Sequence, residues 1–165
     1  MGAGAIPHDV GTVARIIQVE YLDEGRMNLF TIGEQRFRII AVNTTAPYLR
    51  GEVEPLEQVP GRAPASPDLI VRAGQLFDDY LRTHLALGGQ WTRGVDLPND
   101  LGEAADYVAA RLDVPPPQKQ ELLEQLAPEP RLTRALEIIA GELPGMRVRL
   151  AALQRQKTSG FGVLN

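Results

Sequence analysis

Residues 10–42 read VGTVARIIQVEYLDEGRMNLFTIGEQRFRIIAV, and this stretch decides the fold class of the first third of the chain. It is rich in β-branched and aromatic residues that alternate with polar ones, a pattern typical of half-buried strands. Four apolar side chains are predicted to share one face of a strand at residues 12–21: Val13, Ile17, Val19 and Tyr21. Arg15 is the exception on that face. Residues 23–26, Asp-Glu-Gly-Arg, predict a hairpin turn with glycine placed for a positive φ.

Three further strands are predicted after this hairpin turn. Residues 27–32 form the returning strand, and Gly33-Glu34 is interpreted as a second turn. Residues 35–42 alternate arginine with large apolar side chains and predict a third strand. Residues 48–56 predict a fourth strand, bulged or bent at Gly51. The short connections indicate an antiparallel meander.

The remainder of the chain has the pattern of helices. Residues 58–67 are rich in proline and predict an extended linker. The helix that follows carries apolar residues at helical spacing and ends near Gly88-Gly89. Asp100 is predicted to be the N-cap of the next helix, with Glu103 at the third helical position. The predicted organisation is α+β: a β subdomain at residues 1–60, a helical subdomain at 61–157 and a tail at 158–165.

Two proline-led helices complete the predicted helical subdomain. Pro115-Pro116-Pro117 opens a short helix, and Pro128-Glu129-Pro130 opens a longer one. The longer helix has apolar residues at spacings of 4, 3 and 4: Leu132, Leu136, Ile139 and Leu143. Pro144-Gly145 is predicted to break or kink this helix before it resumes at Met146.

Composition restricts the classes of partner. The chain has 165 residues, of which 44% are apolar and 23% charged, as in ordinary soluble domains. Its net charge is −4, whereas most nucleic-acid binders carry a basic surface that neutralises phosphates. Nucleic acid is therefore not expected as the main partner. The sequence shows no secretion signal and no apolar run of roughly 18 residues, so no membrane association and a cytoplasmic location are expected.

The residues of familiar catalytic centres are missing from the sequence. There is no cysteine, no phosphate-binding loop and no Gly-x-Ser-x-Gly motif. The only serines, Ser66 and Ser159, lie in the predicted linker and tail, and the only histidines, His8 and His84, cannot complete a metal site. We therefore expect no catalytic residue, no cofactor and no metal, and a protein that binds its partner without converting it.

The sequence resembles the amino-terminal, substrate-binding domain of Lon proteases. In the β part the resemblance is carried by four segments: residues 10–16, 23–26, 33–39 and 47–54. In the helical part it is carried by three: Asp106-Tyr107-Val108, residues 119–124 and Arg131-Leu132. Together they span roughly residues 8–143. The resemblance implies an antiparallel PUA-like β-barrel followed by a carboxy-terminal helical bundle.

The sequence departs from the family in two respects. Members normally begin with a strand–helix–strand unit that has no counterpart here, so the barrel is expected to be incomplete. The ATPase and protease domains are also missing, so the resemblance is to short proteins that carry only this domain. Because strand edges left without a neighbour attract other strands, a homo-oligomer through these edges is one expectation.

The resemblance implies recognition of unfolded or exposed-hydrophobic polypeptide, in proteolysis or protein quality control. Four residues are predicted to contact the polypeptide: Phe37, Tyr48, Leu49 and Trp91. Packing in the core is the alternative for all four, and for Trp91 packing between the two subdomains. Two other functions remain open, a PUA-like module that binds nucleic acid or a small ligand, and an oligomeric scaffold.

Overall fold

The computed structural model describes residues 6–59 and 67–160. It is an α+β structure in which three strands precede four helices along the chain. The strands are β1 (Val10–Tyr21), β2 (Met27–Asn43) and β3 (Arg50–Leu56). The helices are α1 (Pro67–Leu87), α2 (Leu101–Arg111), α3 (Pro116–Glu124) and α4 (Pro128–Gly160). The chain divides between Gln58 and Val59 into two compact units, which we call the sheet unit and the helical unit.

The sheet unit is one antiparallel sheet with strand order β1-β2-β3. Among the described residues it is an open sheet of three strands rather than four. The predicted turn at Gly33-Glu34 is wrong, because β2 continues through both residues. Val13 pairs with Gln35 and Ala14 with Gly33, so Glu34 is an extra residue in the ladder. A β-bulge accommodates one such residue without ending the strand.

A second bulge changes which residues of β1 share a face. Ile16 pairs with Thr31 and Gln18 with Phe30, so Ile17 is the extra residue on β1. An insertion of one residue shifts the two-residue alternation that follows it. Val13 therefore lies on the opposite face from Val19, and the prediction that both share one face is wrong.

The irregularity near β3 lies in its neighbour. Ile39 pairs with Val53 and Ala41 with Glu52, so the extra residue is Ile40 of β2. Gly51 pairs regularly with Val42, and the bulge predicted at Gly51 is not observed there.

The helical unit has a contiguous apolar core in which α1 and α2 pack on α4. The predicted stripes supply this core: Ala73, Phe77 and Tyr80 from α1, Val108 from α2, and Leu132, Ile139 and Leu143 from α4. The N-cap prediction is confirmed, since the Asp100 carboxylate accepts a hydrogen bond of 2.9 Å from the Glu103 backbone N–H. This bond satisfies one of the free N–H groups at the start of α2.

The helix α4 is continuous at Pro144, so of the two outcomes predicted there, a break or a kink, the break is not observed. Proline inside a helix removes one backbone hydrogen bond. Here Leu143 and Met146, on either side, are 4% and 3% exposed, and their burial holds both halves of the helix against the core. The helix ends at Gly160, so it includes the first residues of the predicted tail, while residues 161–165 lie outside the described residues.

A buried arginine joins three parts of the helical unit. The Arg131 side chain is fully buried, and its Nη2 atom lies 3.2 Å from a carboxylate oxygen of Asp106 on α2. Its Nη1 atom donates a hydrogen bond of 2.7 Å to the Gln125 carbonyl after α3. A buried charge with such partners fixes the positions of the elements that it connects.

Candidate binding surface

The turn between β1 and β2 shapes the most exposed part of the sheet unit. Glu24 and Gly25 have φ values of 63° and 73°, the left-handed conformation that such a turn requires. The Leu22 N–H donates a hydrogen bond of 2.9 Å to the Arg26 carbonyl across the turn. The turn brings Tyr21 opposite Met27 and so fixes the register of the hairpin.

One face of this hairpin is apolar and exposed. Cross-strand partners share a face, and so do residues two apart on one strand. By this register five apolar residues lie together, with exposed fractions in parentheses: Ile16 (53%), Val19 (37%), Tyr21 (79%), Met27 (52%) and Leu29 (50%). We call these five residues the hairpin apolar face. Near the turn the other face is polar, and Asn28 donates a hydrogen bond of 2.9 Å to Glu20.

The sheet unit buries very little of its apolar surface. Within residues 6–58, Val10 is the one large apolar residue counted as buried, at 8% exposure. Side chains on both faces of the sheet are exposed to 40% or more, among them Ile32, Ile40, Val42 and Val53. Large exposed apolar patches are typical of interaction sites, so the sheet unit is the candidate binding surface.

The four residues predicted from the sequence have different surroundings. Phe37 is half-buried and lies over Gly11, where an added Cβ would be 2.5 Å from the ring. Tyr48 and Leu49 precede β3 and are 52% and 53% exposed. Trp91 belongs to the helical unit and is 76% exposed, so it is not a core residue. Phe37, Tyr48 and Leu49 all belong to the sheet unit.

Tyr48 is held by its neighbour Arg50. The Arg50 guanidinium lies 5.5 Å from the centre of the Tyr48 ring and donates a hydrogen bond of 3.3 Å to its hydroxyl. A cation over an aromatic ring stabilises the ring's position while leaving its other face open.

The loop that carries Trp91 is fixed to α1 by an ion pair. Arg82 and Asp78, one turn apart on α1, form a salt bridge of 2.7 Å. Arg82 also donates a hydrogen bond of 2.9 Å to the Arg93 carbonyl, and the Asp78 carboxylate accepts one of 3.2 Å from the Val95 N–H. The loop is therefore anchored on the carboxyl side of Trp91, whose side chain faces solvent.

The helical unit also has a groove of roughly 630 Å³ between α1 and α4. Its apolar lining comes from Leu69, Leu76 and Leu136. Arg72, Asp79 and Glu137 contribute charged groups of both signs to its walls.

The titratable groups with shifted pKa values serve the packing of the helices. Burial raises the pKa of Tyr80, whose hydroxyl accepts a hydrogen bond of 2.9 Å from the Asp113 N–H. Burial lowers the pKa of Lys119, whose ammonium donates to the Ala109 and Ala110 carbonyls at the end of α2. The hydrogen bond from Arg134 lowers the pKa of Glu121. These side chains cap or join helices.

The described residues offer neither a metal site nor a membrane-spanning helix. Residues 6–59 and 67–160 contain no group of three or more His, Cys, Asp or Glu side chains able to hold a metal ion. In the same part of the chain, no helix is both long and apolar enough to cross a membrane.

The sequence alone does not predict the hairpin apolar face as a binding surface. Its signal was present in the alternation of residues 16–30, but the same alternation also describes an ordinary half-buried strand. Only the strand register and the exposure of these side chains in the folded sheet separate the two cases.

Comparison with known proteins identifies relatives of this chain. A family described as "ATP-dependent protease La (LON) substrate-binding domain" matches residues 6–141. The Lon protease of Paraburkholderia phytofirmans is 31% identical over 140 residues, which cover 84% of this chain and 17% of that protein. The Lon protease of Solibacter usitatus is 28% identical over 141 residues, covering 86% of this chain and 18% of the relative. The chain thus spans less than a fifth of the length of these curated relatives.

Solved structures show the same fold. A Lon N-terminal domain protein from Xanthomonas campestris superposes with a TM-score of 0.54 at 24% identity, over 83% of this chain and 71% of that one. The N-terminal domain of a Mycobacterium avium complex Lon protease gives a TM-score of 0.54 at 22% identity, over 85% and 74%.

Proposed function

The chain belongs to the family of Lon substrate-binding domains, and from this premise we propose that it recognises unfolded or exposed-hydrophobic polypeptide without catalysing a reaction. In this proposal it acts in the cytoplasm, in proteolysis or protein quality control, and its sheet belongs to a PUA-like barrel that a helical bundle follows along the chain. The polypeptide is recognised by chemistry common to unfolded chains, which is apolar side chains and free backbone groups.

The hairpin apolar face is the observation that carries this proposal. Its five side chains are between 37% and 79% exposed, although four of them, all except Tyr21, are of types that proteins normally bury. A client is here the unfolded polypeptide that the protein binds. Covering the hairpin apolar face with apolar side chains of a client is favourable by roughly 25 cal/mol per Å² of apolar area removed from water. An unfolded protein offers these side chains, and a folded one keeps them inside.

Three further residues are proposed contacts, Tyr48 and Leu49 in the sheet unit and, separately, Trp91 in the helical unit. Each exposes more than half of its side chain, and Tyr48 is kept in place by Arg50. Phe37 has a smaller part in the proposal, because it is half-buried over Gly11. Aromatic side chains on anchored segments provide a large contact area at a low cost in conformational entropy.

Suppression of the aggregation of a heat-denatured client tests the proposal. We expect the wild-type protein to suppress light scattering in proportion to its concentration. The double variant Tyr21→Ser/Leu29→Ser removes two large side chains of the hairpin apolar face and is expected to reduce this effect about ten-fold or more. Both residues are exposed by half or more, so the fold should persist, which circular dichroism can check.

The matched control is Val71→Ser/Val148→Ser, which removes two exposed apolar side chains from the helical unit. We expect this variant to suppress aggregation as the wild type does. Equal loss in both variants would remove the hairpin apolar face from the proposal. No suppression by the wild type at any ratio would contradict the proposed function itself.

A further inference from the structure

The two edges of the sheet are protected to different degrees. The strand β3 has 7 residues, including Pro55, which has no N–H to offer a neighbouring strand. The strand β1 has 12 residues and no proline, and β2 is its one neighbouring strand among the described residues. Long exposed edges without proline pair readily with strands of another chain. Among the described strands, the β1 edge is therefore the one open to association.

Two opposite charges lie on one face of β1. Arg15 pairs with Ile32 of β2, and Glu20 pairs with Asn28. Ile32 and Asn28 are four residues apart on a part of β2 without a bulge, so Arg15 and Glu20 share a face. Without the bulge at Ile17, residues 15 and 20 would lie on opposite faces.

Two apolar residues lie on the other face, between these charges in sequence. Ile16 pairs with Thr31 and Val19 with Leu29, and Thr31 and Leu29 are two residues apart. Ile16 and Val19 therefore both belong to the hairpin apolar face, on either side of Gln18.

This pattern is complementary to an antiparallel copy of itself. In this pairing Gln18 lies opposite Gln18 of the second copy, and Ile17 stays outside the ladder. Arg15 of one copy then faces Glu20 of the other, and Ile16 faces Val19 of the other. The two-fold axis repeats each pair, so the dimer has two Arg15–Glu20 pairs and two Ile16–Val19 pairs. We propose that two copies of this chain associate through β1 in this register to form a symmetric dimer.

The charges of β1 favour a second copy over an unrelated strand. Opposite charges that face each other across strands stabilise a pairing, and like charges destabilise it. The Arg15 side chain is 59% exposed and already bound to Glu34, so it is held on its face and still accessible to a carboxylate. The dimer also joins two hairpin apolar faces into one continuous surface. The pairing itself does not depend on the proposed function.

Charge-reversal variants of the full chain test the dimer. In sedimentation equilibrium the wild type is expected to dimerise. Arg15→Glu creates two Glu–Glu contacts in its own dimer, and Glu20→Arg creates two Arg–Arg contacts. Each single variant should therefore dimerise about ten-fold or more weakly than the wild type. In a mixture of the two variants, residue 15 of each chain faces a residue 20 of opposite charge in the other chain, so a heterodimer of wild-type strength is expected.

The control is Glu24→Arg, at the exposed turn. It makes the same charge change as Glu20→Arg but outside the strand, and it should leave dimerisation unchanged.

The outcomes separate this proposal from the proposed function. Rescue in the mixture supports the register, because a purely structural defect in either variant would persist on mixing. A wild-type chain that stays monomeric at high concentration overturns the dimer, and so do single variants that dimerise as tightly as the wild type. A monomer that still suppresses aggregation would overturn the dimer and leave the proposed function standing.

Discussion

Two aromatic residues of the helical unit have opposite surroundings. Tyr80 is 2% exposed in the core, and Trp91 is 76% exposed on an anchored loop. The spacing of α1 predicts burial at Tyr80, because residues 73, 77 and 80 fall on one helical face. No such periodicity exists around Trp91, so the sequence left both packing and ligand contact open. At the scale of single residues, burial is therefore predictable inside a helix and not inside a loop.

Tyr80 gives the helical unit a dependence on high pH. Burial raises its pKa above the ordinary 10.0, so the folded state keeps a proton that the unfolded chain releases above pH 10. This contribution to stability is fully present below pH 10 and is lost as the pH rises through the folded pKa. Tyr80→Phe removes the dependence and also the hydrogen bond from Asp113, at a cost of about 1 kcal/mol near neutrality.

Urea unfolding of both proteins between pH 7 and 11 measures this prediction. We expect the deficit of the Tyr80→Phe variant to shrink, or change sign, as the pH rises above 10. Lys119, whose pKa burial lowers, gives an opposite dependence, but it is present in both proteins and cancels in the difference. A deficit that stays constant across this range would show that Tyr80 does not titrate as its burial implies.

At the scale of elements, the structure differs from the predictions wherever one residue is inserted into a regular ladder. Glu34, Ile17 and Ile40 are each an extra residue in a strand pair. The alternation of apolar and polar residues predicts a strand. A bulge is defined by the pairing with the neighbouring strand, so it can be assigned only when that pairing is known. In α4 the reason is different: Pro144 is a local helix breaker, and the burial of Leu143 and Met146 outweighs it.

Two glycines of the sheet should respond differently to alanine. A Cβ at Gly11 would lie 2.5 Å from the Phe37 ring, so Gly11→Ala must displace that ring and should cost about 1–3 kcal/mol. At Gly51 the nearest atoms would be 3.7 Å away, an ordinary contact, so Gly51→Ala should be neutral or slightly stabilising. Thermal unfolding of the two variants gives the comparison. Equal stability of both would contradict the close packing of Phe37 on Gly11.

At the scale of the whole molecule, the α+β class follows from the change of periodicity from two to 3.6 along the chain. The resemblance to the Lon substrate-binding domain also followed from ordered sequence segments, and the family match over residues 6–141 confirms it. The binding surface could not be predicted in this way. Whether the apolar side chains of residues 16–29 are buried or exposed depends on what covers the sheet, which local patterns do not specify.

The central claim is that this chain distinguishes unfolded from folded polypeptide. The most direct measurement is its affinity for one protein in two states, native and permanently unfolded by reduction and carboxymethylation. Fluorescence anisotropy of the labelled protein in each state gives both dissociation constants under the same conditions. We predict saturable binding of the unfolded state and binding of the native state weaker by about a hundred-fold or more. Equal affinity for the two states, or no binding of the unfolded one, would contradict the claim.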